Sequence, residues 1–176
     1  MIDSRLQKLA NTLVNYSVCV KPGDWVLING HVLALPLVEE LTRCVLQAGG
    51  NPSIHLFSDE LQEITFTESS DEQLQWISPL EQISSESADV TIGISAANNT
   101  RALSHIDPRR QQLRQNAHRS RMETFMRRSA EGSLRWVGTQ FPCPAYAQDA
   151  DMSPVSYTHL RAHETDSYLV CRLLLE

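Results

Sequence analysis

Apolar and polar positions along this chain alternate between two periods, helical and extended. Leu6, Leu9, Ala10, Leu13, Val14 and Ser17 recur at helical spacing, so residues 3–18 are expected to form an amphipathic helix. Asp3 or Ser4 would cap it by accepting a backbone N–H. Lys21-Pro22-Gly23-Asp24 reads as a turn. The continuous apolar run Trp25-Val26-Leu27-Ile28 then suits a strand buried on both faces, broken by Asn29-Gly30-His31. Pro36 suits the first turn of a second helix, with Leu37, Leu41, Val45 and Ala48 on one side and Gly49-Gly50 as its stop. Ser53–Phe57 follows as a second strand, about thirty residues after the first began, the spacing of a strand–helix–strand unit with a parallel pair.

Further along, a helical stretch from Asp71 is interrupted by Pro79, and a short helix is expected over Leu80–Ser87. A buried strand is expected over Asp89–Ile94, and a long helical segment from Pro108, broken near Arg119-Ser120. Leu134–Gly138 reads as a fourth strand. Strands and helices in alternation predict an α/β fold: an open, mostly parallel sheet of about four or more strands with helices on both faces, Rossmann-like or flavodoxin-like.

The pattern changes character at the carboxyl side. Val155-Ser156-Tyr157-Thr158-His159-Leu160-Arg161-Ala162-His163-Glu164-Thr165 reads as the translation of a transposase adaptor used in sequencing libraries. Asp166-Ser167-Tyr168 would be a variable index, and Leu169–Leu175 the common adaptor end. Residues 1–154 are therefore expected to be the native amino-terminal α/β domain of a longer protein, and residues 155–176 a non-native tail that packs poorly. Removing everything after Ser153 is expected to leave thermal stability unchanged or raised.

Composition narrows the function classes. The net charge is −6 and 41% of residues are hydrophobic, enough for a packed core. Setting aside the tail, with its two arginines and three carboxylates, leaves −5. An acidic chain is a poor generic binder of nucleic acid or membrane surface. No apolar run approaches the roughly 18 residues of a membrane span, and Met1-Ile2-Asp3-Ser4 opens no signal peptide. Cys19, Cys44 and Cys143 are widely spaced with no CxxC pair, as in a reduced, cytoplasmic protein.

Candidate chemistry is sparse. His159-x-x-x-His163-Glu164 has metal-ligand spacing but lies in the adaptor-like stretch, so it is read as an accident of translation. His31 follows the first strand, where open α/β sheets bind ligands; it reads either as a partly exposed loop histidine or as a lining of a substrate cleft. Asn98, Asn99, Thr100 and Arg101 follow the third strand and read either as a turn with capping side chains or as a binder of a carboxylate or backbone amide. His31, Asn98, Asn99 and Arg101 are thus the substrate-cleft candidates. His55 is expected to be a core or edge histidine, and His105 and His118 to have no carboxylate at ligand spacing. The arginines from Arg101 to Arg128 fall on different sides of their helices and are expected to be solvated faces pairing with Asp and Glu. No G-x-G-x-x-G or G-x-S-x-G is present, and no catalytic set is expected within the chain.

Several segments, in order, resemble the amino-terminal domain of the M29 metallopeptidase family, the thermophilic aminopeptidases of aminopeptidase T and aminopeptidase II type. They include Leu13-Val14-Asn15-Tyr16-Ser17, Val20-Lys21-Pro22-Gly23-Asp24, Pro36–Leu41, Ala48-Gly49-Gly50-Asn51-Pro52, Ala97–Ser104, Asp107-Pro108, Leu134–Val137, Phe141-Pro142 and Pro144–Gln148. The resemblance covers residues 5–153. It implies a cytoplasmic, homodimeric enzyme that removes amino-terminal residues from peptides, using two divalent ions (Co, Zn or Mg) held by a carboxyl-terminal domain. No ligand position of the family falls within these residues. The resemblance therefore implies that the chain supplies a scaffold domain, binds no metal and is inactive alone. A non-catalytic α/β module with a small-molecule crevice at Asn29–His31 and Asn98–Arg101 is the competing reading.

Overall fold

The computed structural model describes residues 4–158. Its centre is a four-stranded sheet of β1 (Trp25–His31), β2 (Asn51–Phe57), β3 (Val90–Ser95) and β4 (Arg135–Gln140), in the order β2-β1-β3-β4 and parallel throughout. This is the open α/β fold the sequence pattern predicts, with helices around the sheet.

β1 runs three residues further than expected. Asn29, Gly30 and His31 do not break the strand; they pair with His55, Leu56 and Phe57 of β2. Gly30 is there for close approach: a β-carbon would lie 2.9 Å from Val38 Cγ2 and 3.5 Å from Ile94 Cδ1. Glycine in a strand interior marks this as readily as a turn.

One face of the sheet, made by Val26, Ile28, Val90, Ile92, Ile94 and Val137, is buried in the main core. It is covered by α1 (Ser4–Asn11), a π-helical turn over Thr12–Ser17 and α2 (Leu35–Gln47), which contribute Ala10, Leu13, Val14, Leu37, Val38, Leu41 and Val45. The expected helix over residues 3–18 is thus one helical run with a π turn in its second half. Gly49, at φ 82°, ends α2 as expected, where only glycine takes the left-handed conformation cheaply. Arg135 ties the first connection to β4: its guanidinium donates to the carbonyls of Val18 and Cys19 at 3.1 and 2.6 Å and pairs with Asp24 at 2.7 Å.

Five further helices belong to the two crossovers that move rightward from β2 to β3 and from β3 to β4. Right-handed connection puts them on the opposite face from α2. They are α3 (Asp59–Glu68), α4 (Asp71–Gln75), α5 (Pro79–Ser87), α6 (Pro108–Ala117) and α7 (Arg119–Ala130). Trp136, on that face of β4, meets Phe125 of α7 at 5.6 Å and donates its indole N–H to Ser129. α4 packs on α6 and α5 on α7.

Arginines hold this layer together. Arg110 donates to the Phe66 and Ser69 carbonyls, Arg114 to that of Trp76 at 3.0 Å, and buried Arg128 to those of Ser85 and Ser133, both at 3.0 Å. The expected carboxylate pairs exist too, Arg109 with Asp71 at 2.8 Å and Arg127 with Glu131 at 3.1 Å. The expectation of purely solvated arginine faces is therefore corrected: guanidiniums reach the orphan carbonyls at helix ends, where their fork of donors fits best.

α8 (Pro144–Asp149) follows β4. Residues 154–158 are helical, and Tyr157 is buried. The rest of the adaptor-like stretch, with His159, His163 and Glu164, lies outside the described residues.

Candidate functional site at the carboxyl ends of the strands

In an open α/β sheet the ligand crevice lies outside the carboxyl ends of the strands, where strand order reverses. Here that point is between β1, whose connection runs left to β2, and β3, whose connection runs right to β4. β1 ends at His31, and β3 leads into Ala96-Ala97-Asn98-Asn99. Two of the residue groups picked from the sequence thus stand at the switch point.

His31 is fully buried, which corrects the expectation of a partly exposed loop histidine. It is the last residue of β1, and its Nδ1 accepts the Leu33 N–H at 3.1 Å, capping the short 3₁₀ turn Val32–Ala34. That bond fixes the tautomer: Nδ1 carries the lone pair, so in the neutral ring the proton is on Nε2. Nε2 lies 3.6 Å from Asp59 Oδ1, just beyond hydrogen-bond range, and has no partner. Phe57 meets the ring edge-on at 5.5 Å.

Asp59 and Glu60 come from the first turn of α3, where carboxylates favour exposed backbone N–H groups. Ser58 caps that helix by accepting the Leu61 N–H at 3.2 Å. Asp59 faces both ways. Its Oδ1 approaches His31, while Oδ2 accepts the backbone N–H of Asn98 at 2.8 Å and that of Asn99 at 3.5 Å. The Asn98 side-chain amide donates to Glu60 at 2.8 Å. Glu60's carboxyl is held below its usual range by its own backbone N–H first, then by Asn98 and Ser58.

α3 and the loop after β3 are therefore latched across the mouth of the crevice. Asn99 turns inward on its own loop, accepting the Arg101 N–H at 2.9 Å. The Arg101 side chain is not part of this latch. On the far side, Tyr146 of α8 sits beside Ala96, Ala97 and Cys143; burial raises its hydroxyl's pKa, and Cys143, Tyr157 and Asp59 add to the rise.

The structure joins His31, Asn98 and Asn99 through Asp59, and leaves Arg101 at the rim. Sequence reasoning missed Asp59, Glu60 and Tyr146. The first two were findable, since a serine followed by two acidic residues directly after a strand is a helix-start signature. Elsewhere, His105 has a carboxylate after all, Glu63 at 3.2 Å, supplied by α3 and invisible to local spacing. His55 lies on the exposed edge strand, 3.3 Å from Asn29 Oδ1.

The crevice presents carboxylate acceptors and amide groups, with the His31 imidazole buried beneath them, a set for positioning a polar ligand. Among the described residues it holds no adjacent nucleophile and base. Among the described residues, no three His, Cys, Asp or Glu side chains stand close enough to share a metal ion. No helix of the described residues is long and apolar enough to cross a membrane.

Comparison with known proteins gives the lineage. No curated protein matches the sequence significantly. Among solved structures, wild-type AmpT from Thermus thermophilus superposes with a TM-score of 0.71 at 16% identity, covering 94% of this chain and 43% of that one. At that identity the likeness speaks for the fold. The present chain thus spans less than half the length of the structure it matches. The thermophilic metalloprotease (M29) family matches residues 2–165, nearly the whole chain, and the chain belongs to that family.

Proposed function

We propose that this chain is the amino-terminal scaffold of a metal-dependent aminopeptidase, an enzyme that hydrolyses amino-terminal residues from peptides, and that it is inactive alone. The observation that carries this is M29 membership in a chain that covers 43% of the AmpT structure it matches. Two divalent ions (Co, Zn or Mg) would be held by the part of the enzyme that this chain does not include. The chain's own contribution is to frame the cleft. His31 and Asp59 set the position of the Asn98–Asn99 loop, and Asn98, Asn99 and Arg101 meet the peptide backbone or its terminus. The enzyme is proposed to be a cytoplasmic homodimer acting on peptides, with no nucleic-acid or membrane partner. Residues 155–176 remain, on this reading, translated adaptor.

A second reading has its own support, because His31, Asp59 and Asn98 stand together at the strand ends within this chain. It makes the chain a non-catalytic module for a small polar ligand. Sequencing the source gene across codon 155 decides between them. The aminopeptidase reading expects the frame to continue into a domain with spaced Glu and His residues. A stop codon just after Ser153 would leave the module.

A further inference from the structure

We propose that a second cleft, walled by α3, α5 and the joint between α6 and α7, binds a free amino acid or another small molecule bearing both an ammonium and a carboxylate. The cleft encloses about 400 Å³, within the range of roughly 300–1,000 Å³ usual for small-molecule sites. Two of its polar side chains carry orphan atoms. Glu81 presents a buried carboxylate oxygen, Oε2, with no partner. His118, at the joint, has both ring nitrogens buried and unpartnered. Buried polar groups left so are few in folded proteins, and each costs desolvation without return unless something binds.

The charges select the ligand. Arg121 lines the cleft and has no ion pair or hydrogen bond among the described residues; Arg114 lines it too, with one arm committed to the Trp76 carbonyl at 3.0 Å. A guanidinium takes a carboxylate in bidentate fashion. A simple anion such as phosphate would meet Arg121 but be repelled by Glu81. A simple cation would meet Glu81 but be repelled by two arginines. A zwitterion satisfies both poles at once, its ammonium on Glu81 and its carboxylate on Arg121. Leu61 and Phe66 supply an apolar wall for its side chain. The proposal stands without the peptidase reading; under that reading, the ligand class is the reaction's product.

Calorimetric titration of the 176-residue chain with L-leucine, L-leucinamide and N-acetyl-L-leucine tests it, since the second lacks the carboxylate and the third the ammonium. L-leucine is expected to bind at millimolar concentration or below, and each incomplete probe about tenfold or more weaker, a difference of about 1.4 kcal/mol. Glu81→Gln should abolish the preference for L-leucine over its N-acetyl form, and Arg121→Gln the preference over the amide. No binding of L-leucine at millimolar concentration, or equal binding of all three probes to the unaltered chain, overturns the proposal. The three-probe comparison does not depend on how the variants fold, and it reads binding without turnover, so its failure is separate from failure of the aminopeptidase reading.

Discussion

At the scale of single residues, half-buried Asp59 connects the most groups of the candidate site. One of its oxygens approaches a buried imidazole, and the other ends the backbone of the loop after β3. Asp59→Ala should remove about 1–3 kcal/mol, the usual cost of losing a bond to a charged acceptor, read from urea unfolding. Amide exchange at Asn98 should quicken in the same variant, and unchanged exchange there would mean the latch is not what orders the loop. His118 gives a pH signature. Burial, with Arg114 and then Arg121, lowers its pKa from the ordinary 6.5, against an opposing pull from Glu81. As pH falls through 6.5 the unfolded chain takes up this proton before the folded one does, so stability falls, and the loss levels off below the folded pKa. His118→Gln should flatten that part of the curve; urea midpoints at pH 7.5 and about 5.5 for both proteins measure it, and parallel curves would count against the assignment.

At the scale of elements, what could be read in advance was what local periodicity encodes. All four strands, α2, α5 and the break near Arg119 follow from apolar spacing, proline and glycine. Helix α3 did not, because its apolar residues are scattered and none is buried; only the cap signature at Ser58 marks it. β1 extends past the expected break because Asn29-Gly30-His31, though turn-like in composition, continues a central strand with neighbours on both sides, which overrides that preference. The candidate site was half legible for the same reason. Strand ends can be located from one sequence, so His31, Asn98 and Asn99 were found, but the carboxylate that joins them comes from another element. Gly30 carries a direct test of the packing. Gly30→Ala would push a methyl group against Val38 and Ile94, and overpacking of this kind costs about 1–3 kcal/mol. Gly138→Ala, with nothing within 4 Å of the new methyl, is the control and should cost much less. Equal losses in thermal denaturation would mean that backbone freedom, not close approach of α2, sets the requirement.

At the scale of the whole molecule, two boundaries matter: where the native chain stops and where the chemistry sits. If residues 155–176 are translated adaptor, deletion after Thr158 should leave the melting temperature unchanged or raised. Deletion after Ser153 also removes Tyr157, which the fold buries, so the expectation that this cut is harmless is corrected: it should cost about 1–3 kcal/mol relative to the chain ending at Thr158. A marked loss on deletion after Thr158 would show that the later residues belong to the fold. The second boundary concerns catalysis. The family is one of metalloproteases, yet the described residues place polar, positioning groups at the strand ends and no metal-sharing set. Those facts are reconciled if the chain frames a cleft whose reacting centre lies elsewhere in the enzyme. The most direct measurement is hydrolysis of aminoacyl p-nitroanilides with added Co²⁺, Zn²⁺ or Mg²⁺, run side by side on the purified 176-residue chain and on the product of the uninterrupted source gene. The account predicts chelator-sensitive turnover from the uninterrupted product and none from the chain. Chelator-sensitive turnover by the chain itself would contradict it.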